Sequence, residues 1–108
     1  MKTKSLGEFE ELVLLTVAAQ HSEAYGVSIL ESLQDTLDRK INVSAIHVAL
    51  KRLSDKGFVK SRFGGITNER GGRRKKFYEI TAYGKKTLDQ QYELRTQMYQ
   101  QIPKISFG

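Results

Sequence analysis

Apolar positions recur at helical spacing through three consecutive stretches of this chain and then change period. Over residues 6–20, Phe9, Leu12, Val13, Leu14, Leu15 and Val17 give an apolar surface wider than one stripe. That pattern predicts a helix packed between other elements. Glu8, Glu10 and Glu11 stand in its first turns, where carboxylates suit the positive end of the helix dipole. Residues 21–24 form a short polar break. A second helix is expected over residues 25–37, with Leu30, Leu33 and Leu37 on one face. A linker over residues 39–42 leads to a third helix over residues 43–56. There Ile46, Ala49, Leu50 and Leu53 follow the spacing of a buried face. Asn42 or Ser44 can cap its start, and Gly57 stands where a left-handed residue ends a helix.

Beyond Gly57 the helical period is lost. Residues 58–63 and 75–80 have strand-like composition, and the glycine-rich residues 64–72 between them carry no period, which predicts a long-looped hairpin. A final helix is expected over residues 81–102, with Thr81 as its N-cap and Pro103 marking its end. The order helix, helix, helix, hairpin, helix predicts an α+β, mainly α fold. It is a winged helix-turn-helix, with an N-terminal helix before it and a C-terminal helix after it.

The chain of 108 residues is long enough for one domain, or one domain with an appended helix, and 39% hydrophobic residues make a small core. A second copy burying apolar surface would help it. Residues 1–80 are read as the winged-helix unit and residues 81–108 as a C-terminal dimerisation helix. The absence of cysteine excludes disulfides and thiolate metal sites and suits a reducing cytoplasm, the expected location. The longest apolar run, residues 12–19, is too short to cross a bilayer, so no membrane partner is expected.

Charge sharpens the picture. Between residues 51 and 76 ten basic side chains face only Asp55 and Glu69, so this segment carries more than the net +6 of the whole chain. A field of that sign attracts polyanions. With the apolar face of the third helix turned inward, Ser44, His47, Val48, Lys51 and Asp55 lie outward and Arg52 lies on the flank. An α-helix fits the major groove of double-stranded DNA, and a thin basic hairpin reaches the neighbouring backbone or minor groove. Recognition is therefore assigned to Ser44, His47, Val48, Lys51 and Arg52, and the wing to Arg70, Arg73, Arg74, Lys75 and Lys76. The wing cations are read as crowded onto a loop, where they repel one another until an anion relieves them.

At these residues the sequence resembles the PadR-like family of bacterial transcriptional regulators. The resemblance runs from about Leu6 to Leu88. It is carried by Leu6 and Gly7, by Leu12, Val13 and Leu14, and by Tyr25, Gly26, Val27, Ser28, Ile29 and Leu30. It continues through Ala49, Leu50, Lys51, Arg52 and Leu53, then Gly57, Phe58 and Val59. Gly72, Arg73, Arg74, Lys75, Lys76, Phe77 and Tyr78 follow, then Ile80, Thr81, Gly84 and Leu88. The resemblance implies a homodimeric regulator, usually a repressor, whose C-terminal helix makes the dimer and whose Lys51, Arg52 and wing cations contact DNA. His47 stands where the family usually carries tyrosine, and Val48 where proline is common. The operator preference is therefore not carried over with the fold.

On the last helix Leu88, Tyr92, Tyr99 and Ile102 form an apolar stripe, with Leu94 and Met98 on an adjoining strip. Such a stripe is exposed in a monomer, which places the dimer interface at Leu88, Tyr92, Met98, Tyr99 and Ile102. The alternative is a fold-back onto the first helix of the same chain. The family's usual input is a ligand, and Tyr83, Tyr92, Met98 and Tyr99 are the candidates to line a pocket for a small apolar effector.

Other chemistry finds no support. His21 and His47 fall on different helices with no paired carboxylate, so no metal is expected. The glycine-rich loop lacks the phosphate-loop pattern, and no nucleophile elbow or catalytic dyad is present, so neither cofactor nor catalysis is expected. The competing reading is a winged-helix protein–protein adaptor without DNA recognition. An apolar or acidic outer face on the third helix would favour it, and Lys51 and Arg52 oppose it.

Overall fold

The computed structural model describes residues 5–66 and 74–105. Along the chain come α1 (Glu8–Gln20), a 3-10 turn (His21–Glu23), β1 (Ala24–Tyr25), α2 (Gly26–Leu37), α3 (Val43–Asp55), β2 (Val59–Ile66), β3 (Arg74–Ile80) and α4 (Ala82–Gln100). The architecture is mainly helical, with one small antiparallel sheet in the strand order β1-β3-β2.

The face predicted for the third helix is the centre of the core. Ile46, Ala49, Leu50 and Leu53 of α3 are buried together with Val13, Leu14 and Val17 of α1 and Ile29 and Leu33 of α2. The apolar surface of α1 is narrower than its composition suggests. Leu15 is exposed, while Thr16 is buried with its hydroxyl donating to Leu12 O at 2.8 Å. Asn42 is the cap of α3, its Oδ1 accepting from the Ser44 N–H (2.9 Å) and hydroxyl (2.7 Å). Gly57, at φ +83°, ends that helix. The turn closes with Phe58 N–H donating to Leu53 O (2.9 Å) and Gly57 N–H to Ser54 O (3.0 Å). That exit drops Phe58 into the core and starts β2.

Two features of the sheet differ from expectation. Tyr25 belongs to β1 rather than to α2, and Ala24 and Tyr25 pair with Tyr78 and Phe77 on β3. A two-residue strand is too short to show a period, and only the free edge of β3 selects it. The second difference is that β2 runs to Ile66 and β3 starts at Arg74, so the hairpin strands are longer than predicted. Gly64 reads as loop composition but lies in β2, where an added Cβ would come 2.6 Å from the Phe77 ring. The pairing is irregular between Phe63 and Ile66, as expected where a strand carries glycine.

Register sorts the hairpin side chains by face, because residues paired across strands project to the same side. Val59, Ser61 and Phe63 share a face with Ile80, Tyr78 and Lys76. Lys60 and Arg62 share the other with Glu79 and Phe77.

α4 begins against this sheet. The Thr81 hydroxyl donates to Gly57 O (2.7 Å) and accepts from Gly84 N–H (3.0 Å). Gly84 is required by close approach: a Cβ there would fall 2.3 Å from Phe58 O. Thr87 and Leu88 are buried, and Arg95 reaches Glu11 of α1 at 3.3 Å. Past that point the helix leaves the body. The radius of gyration is 16.4 Å, against about 13 Å for a compact domain near this size, and the long axis is 58 Å. Among the described residues no helix is long and apolar enough to cross a membrane.

Candidate nucleic-acid interface

The outer side of α3 presents two rows at helical spacing. Ser44, Val48 and Arg52 border a groove shared with Gly7, Phe9 and Glu10 at the start of α1. His47, Lys51 and Asp55 form the neighbouring row, and all six side chains are exposed. Lys51 pairs with Asp55 at 3.3 Å, one helical turn on. On the other flank sits a buried carboxylate. Glu10 accepts from Lys56 Nζ at 2.6 Å and stands 3.9 Å from Arg52 Nη1. Lys56 also donates to Ser5 O at 2.9 Å, so it ties α3 to the start of α1.

The recognition helix and the hairpin meet at His47. Its ring lies against Gly26, where an added Cβ would come 3.1 Å from His47 Cε1. Tyr25, Gly26, Val27, His47, Lys76 and Tyr78 line one open groove, so the cationic edge of β3 and the row of α3 bearing His47 face the same side. Burial pushes the Tyr78 phenol above its ordinary value.

Lys75 and Lys76 lie in the strand expected over residues 75–80, and Arg74, expected to crowd the loop, begins that strand. Arg74, Lys75 and Lys76 lie on β3, where alternation sends Lys75 to the opposite face from its two neighbours. Each lies over an aromatic ring. Arg74 is 5.4 Å from the Phe63 centroid, Lys75 is 4.4 Å from Tyr25, and Lys76 is 5.8 Å from both Phe63 and Tyr78. Arg74 Nε also donates to Gly64 O at 3.0 Å. Arg62 joins the set from β2, 4.9 Å from the Phe77 centroid and donating to Ser22 O at 2.9 Å. Arg70 and Arg73 lie outside the described residues.

The site residues assigned from the sequence leave out Arg62, Phe63 and Glu10, although Arg62 belongs to the basic segment. The signal for the first two was present, since a period of two over residues 59–63 and 74–80 assigns each cation its face and its ring. Glu10 gave no such signal, because its partner is 46 residues away.

The stripe on α4 divides as well. Leu88 is only 8% exposed and packs in the core of its own chain. Tyr92 and Tyr99 are 73% and 75% exposed, and Leu94, Met98, Ile102 and Ile105 are also open. Helical geometry sets Tyr92 and Tyr99 below Leu88 and Arg95, and Tyr83 on the other side of α4. Tyr83 instead stacks on Phe58, ring centroids 5.1 Å apart. One chain therefore does not gather Tyr83 with Tyr92 and Tyr99. Among the described residues no group of three or more His, Cys, Asp or Glu could hold a metal.

Residues 14–90 match the family described as the transcriptional regulator PadR-like family. Solved structures share the fold. A PadR-like transcription factor from Bacteroides fragilis superposes with a TM-score of 0.72 at 19% identity, over 85% of this chain and 84% of that one. A PadR-like transcriptional regulator from Bacillus cereus gives 0.68 at 17% identity, over 91% and 93%. Bacillus subtilis PadR, solved in complex with operator DNA, gives 0.67 at 24% identity, over 94% of this chain but 53% of that longer one. Among curated proteins none matches the sequence.

Proposed function

This chain belongs to the PadR-like family of transcriptional regulators, and from that premise we propose that it is a homodimeric, sequence-specific binder of double-stranded DNA that represses transcription by occupying its operator. The observation that carries the reading is the groove at His47. There His47 of the outward row of α3 and Lys76 of the hairpin line one groove, so the two elements present their exposed polar groups to the same side. In this reading α3 enters the major groove, where Ser44, His47 and Val48 meet base edges and Lys51 and Arg52 meet phosphates or guanine. Arg74, Lys75 and Lys76 engage the neighbouring backbone, with Arg70 and Arg73 assigned to the same wing. That the similarly folded Bacillus subtilis PadR was solved in complex with operator DNA supports DNA as the partner.

The dimer rests on α4. Tyr92, Leu94, Met98, Tyr99 and Ile102 expose apolar surface that the described residues do not cover, and a second copy related by a two-fold axis would bury it. In this division residues 1–80 bind DNA and residues 81–108 dimerise. A small apolar effector that releases the operator would bind where Tyr92, Met98 and Tyr99 of two copies converge. Reading the protein as a regulator agrees with a cytoplasmic location.

The test is a fluorescence anisotropy titration against a duplex of the protein's own promoter region at several salt concentrations, with sedimentation in parallel. For about 6–10 phosphate contacts, affinity should fall about 10³–10⁵-fold between 50 and 200 mM salt. Salt-insensitive binding, or no binding, would contradict the proposal.

A further inference from the structure

The hairpin carries one large apolar side chain that the core does not use. Phe63 is 56% exposed and lies outside the core cluster, although Val59 on the same strand is buried. Its direct cross-strand neighbour is Lys76, and Arg74 stands over the same ring. Lys76 in turn borders the groove that reaches His47, so the Phe63 face is the face α3 presents. A phenyl ring with two cations close to it, on the side of the recognition helix, is a mixed surface. The duplex backbone is also mixed: anionic phosphates alternate with the apolar C–H faces of deoxyribose that wall the minor groove.

We infer that the Phe63 ring packs on deoxyribose in the minor groove beside the site read by α3, while Arg74 and Lys76 take the phosphates on either side. This deepens the DNA-binding reading and rests on it. The competing role for Phe63 is only to hold the two cations in place through its π face. The two roles differ in what they do to salt dependence. A contact made by the ring itself releases no counterion, whereas misplacing Arg74 and Lys76 removes counterion release.

The experiment compares wild type, F63A and F63L on a fluorescein-labelled duplex of the protein's own promoter region across a salt series. Melting temperature and sedimentation are checked on each variant. F63A is expected to bind about tenfold more weakly, through reduced apolar burial, with the slope of log affinity against log salt unchanged. F63L keeps apolar bulk without the π face and should retain most of the affinity. Hydroxyl-radical footprinting reads deoxyribose directly, and F63A should lose protection at sugars next to the α3 site that wild type protects. A slope that falls in both variants, or F63A binding as tightly as wild type, overturns the inference and leaves the DNA-binding reading standing. A wild-type protein that binds no DNA overturns both.

Discussion

On α3 and its C-cap every cation stands near a carboxylate, Lys51 by Asp55 and both Arg52 and Lys56 by Glu10. On the hairpin, Arg62, Arg74, Lys75 and Lys76 make no ion pair within the described residues and lie over aromatic rings instead. A carboxylate partner cancels the distant field of a cation. An aromatic face fixes the side chain for about 0.5–1 kcal/mol at an exposed site and leaves its charge whole. The two regions are therefore suited to different tasks. The hairpin offers uncancelled charge to a polyanion, and α3 offers shape and hydrogen-bonding groups on a firmly packed helix.

The largest expected effect removes the pairing of these regions between two copies. Replacing Leu94 and Met98 by glutamate should shift the sedimentation mass to monomer and weaken binding to a two-half-site operator about 10²–10⁴-fold. A dimer that persists would move the interface elsewhere. Next comes the base on which hairpin and α3 both rest. Gly84→Val sets a side chain against Phe58 O and should cost about 3 kcal/mol, lowering Tm by about 15 °C in thermal unfolding. Smaller and more local is His47→Ala. It should reduce the preference for operator over random duplex about tenfold with an unchanged salt slope. Smallest is Asp55→Asn, which frees Lys51 and should tighten DNA binding about two- to fivefold at low salt. Weaker binding by that variant would mean that the Lys51–Asp55 pair positions a contact.

Much of this contrast was readable in the sequence, because it depends on periods. The 3.6-residue pattern located α3, its buried Ile46, Ala49, Leu50 and Leu53, and the outward Ser44, His47, Val48, Lys51 and Arg52. The glycine after α3 and the threonine before α4 placed both boundaries, since each acts through its own neighbours. What escaped was set by partners distant in the chain. Glu10 reads as an ordinary first-turn carboxylate until α3 brings Lys56 to it. Gly64 reads as loop until Phe77 crosses it. Leu88 falls in the stripe of Tyr92 and Tyr99, yet only the near end of α4 is buried, and a helical repeat does not say where cover stops. The cations of β3 read as a cluster because composition ignores alternation. Paired with β2, they divide between two faces.

The central claim is that the hairpin supplies most of the electrostatic affinity and α3 most of the discrimination. The direct measurement is the salt dependence of binding to the promoter duplex for two variants beside wild type. One carries glutamine at Arg62, Arg74, Lys75 and Lys76, and the other at Lys51 and Arg52. The first should lower the slope by about 0.9 for each phosphate that is no longer neutralised, close to three or four in all. The second should lower it by less than one while eroding preference for the operator. An equal decrease in slope per charge removed, or a greater decrease from the α3 pair, would contradict the account.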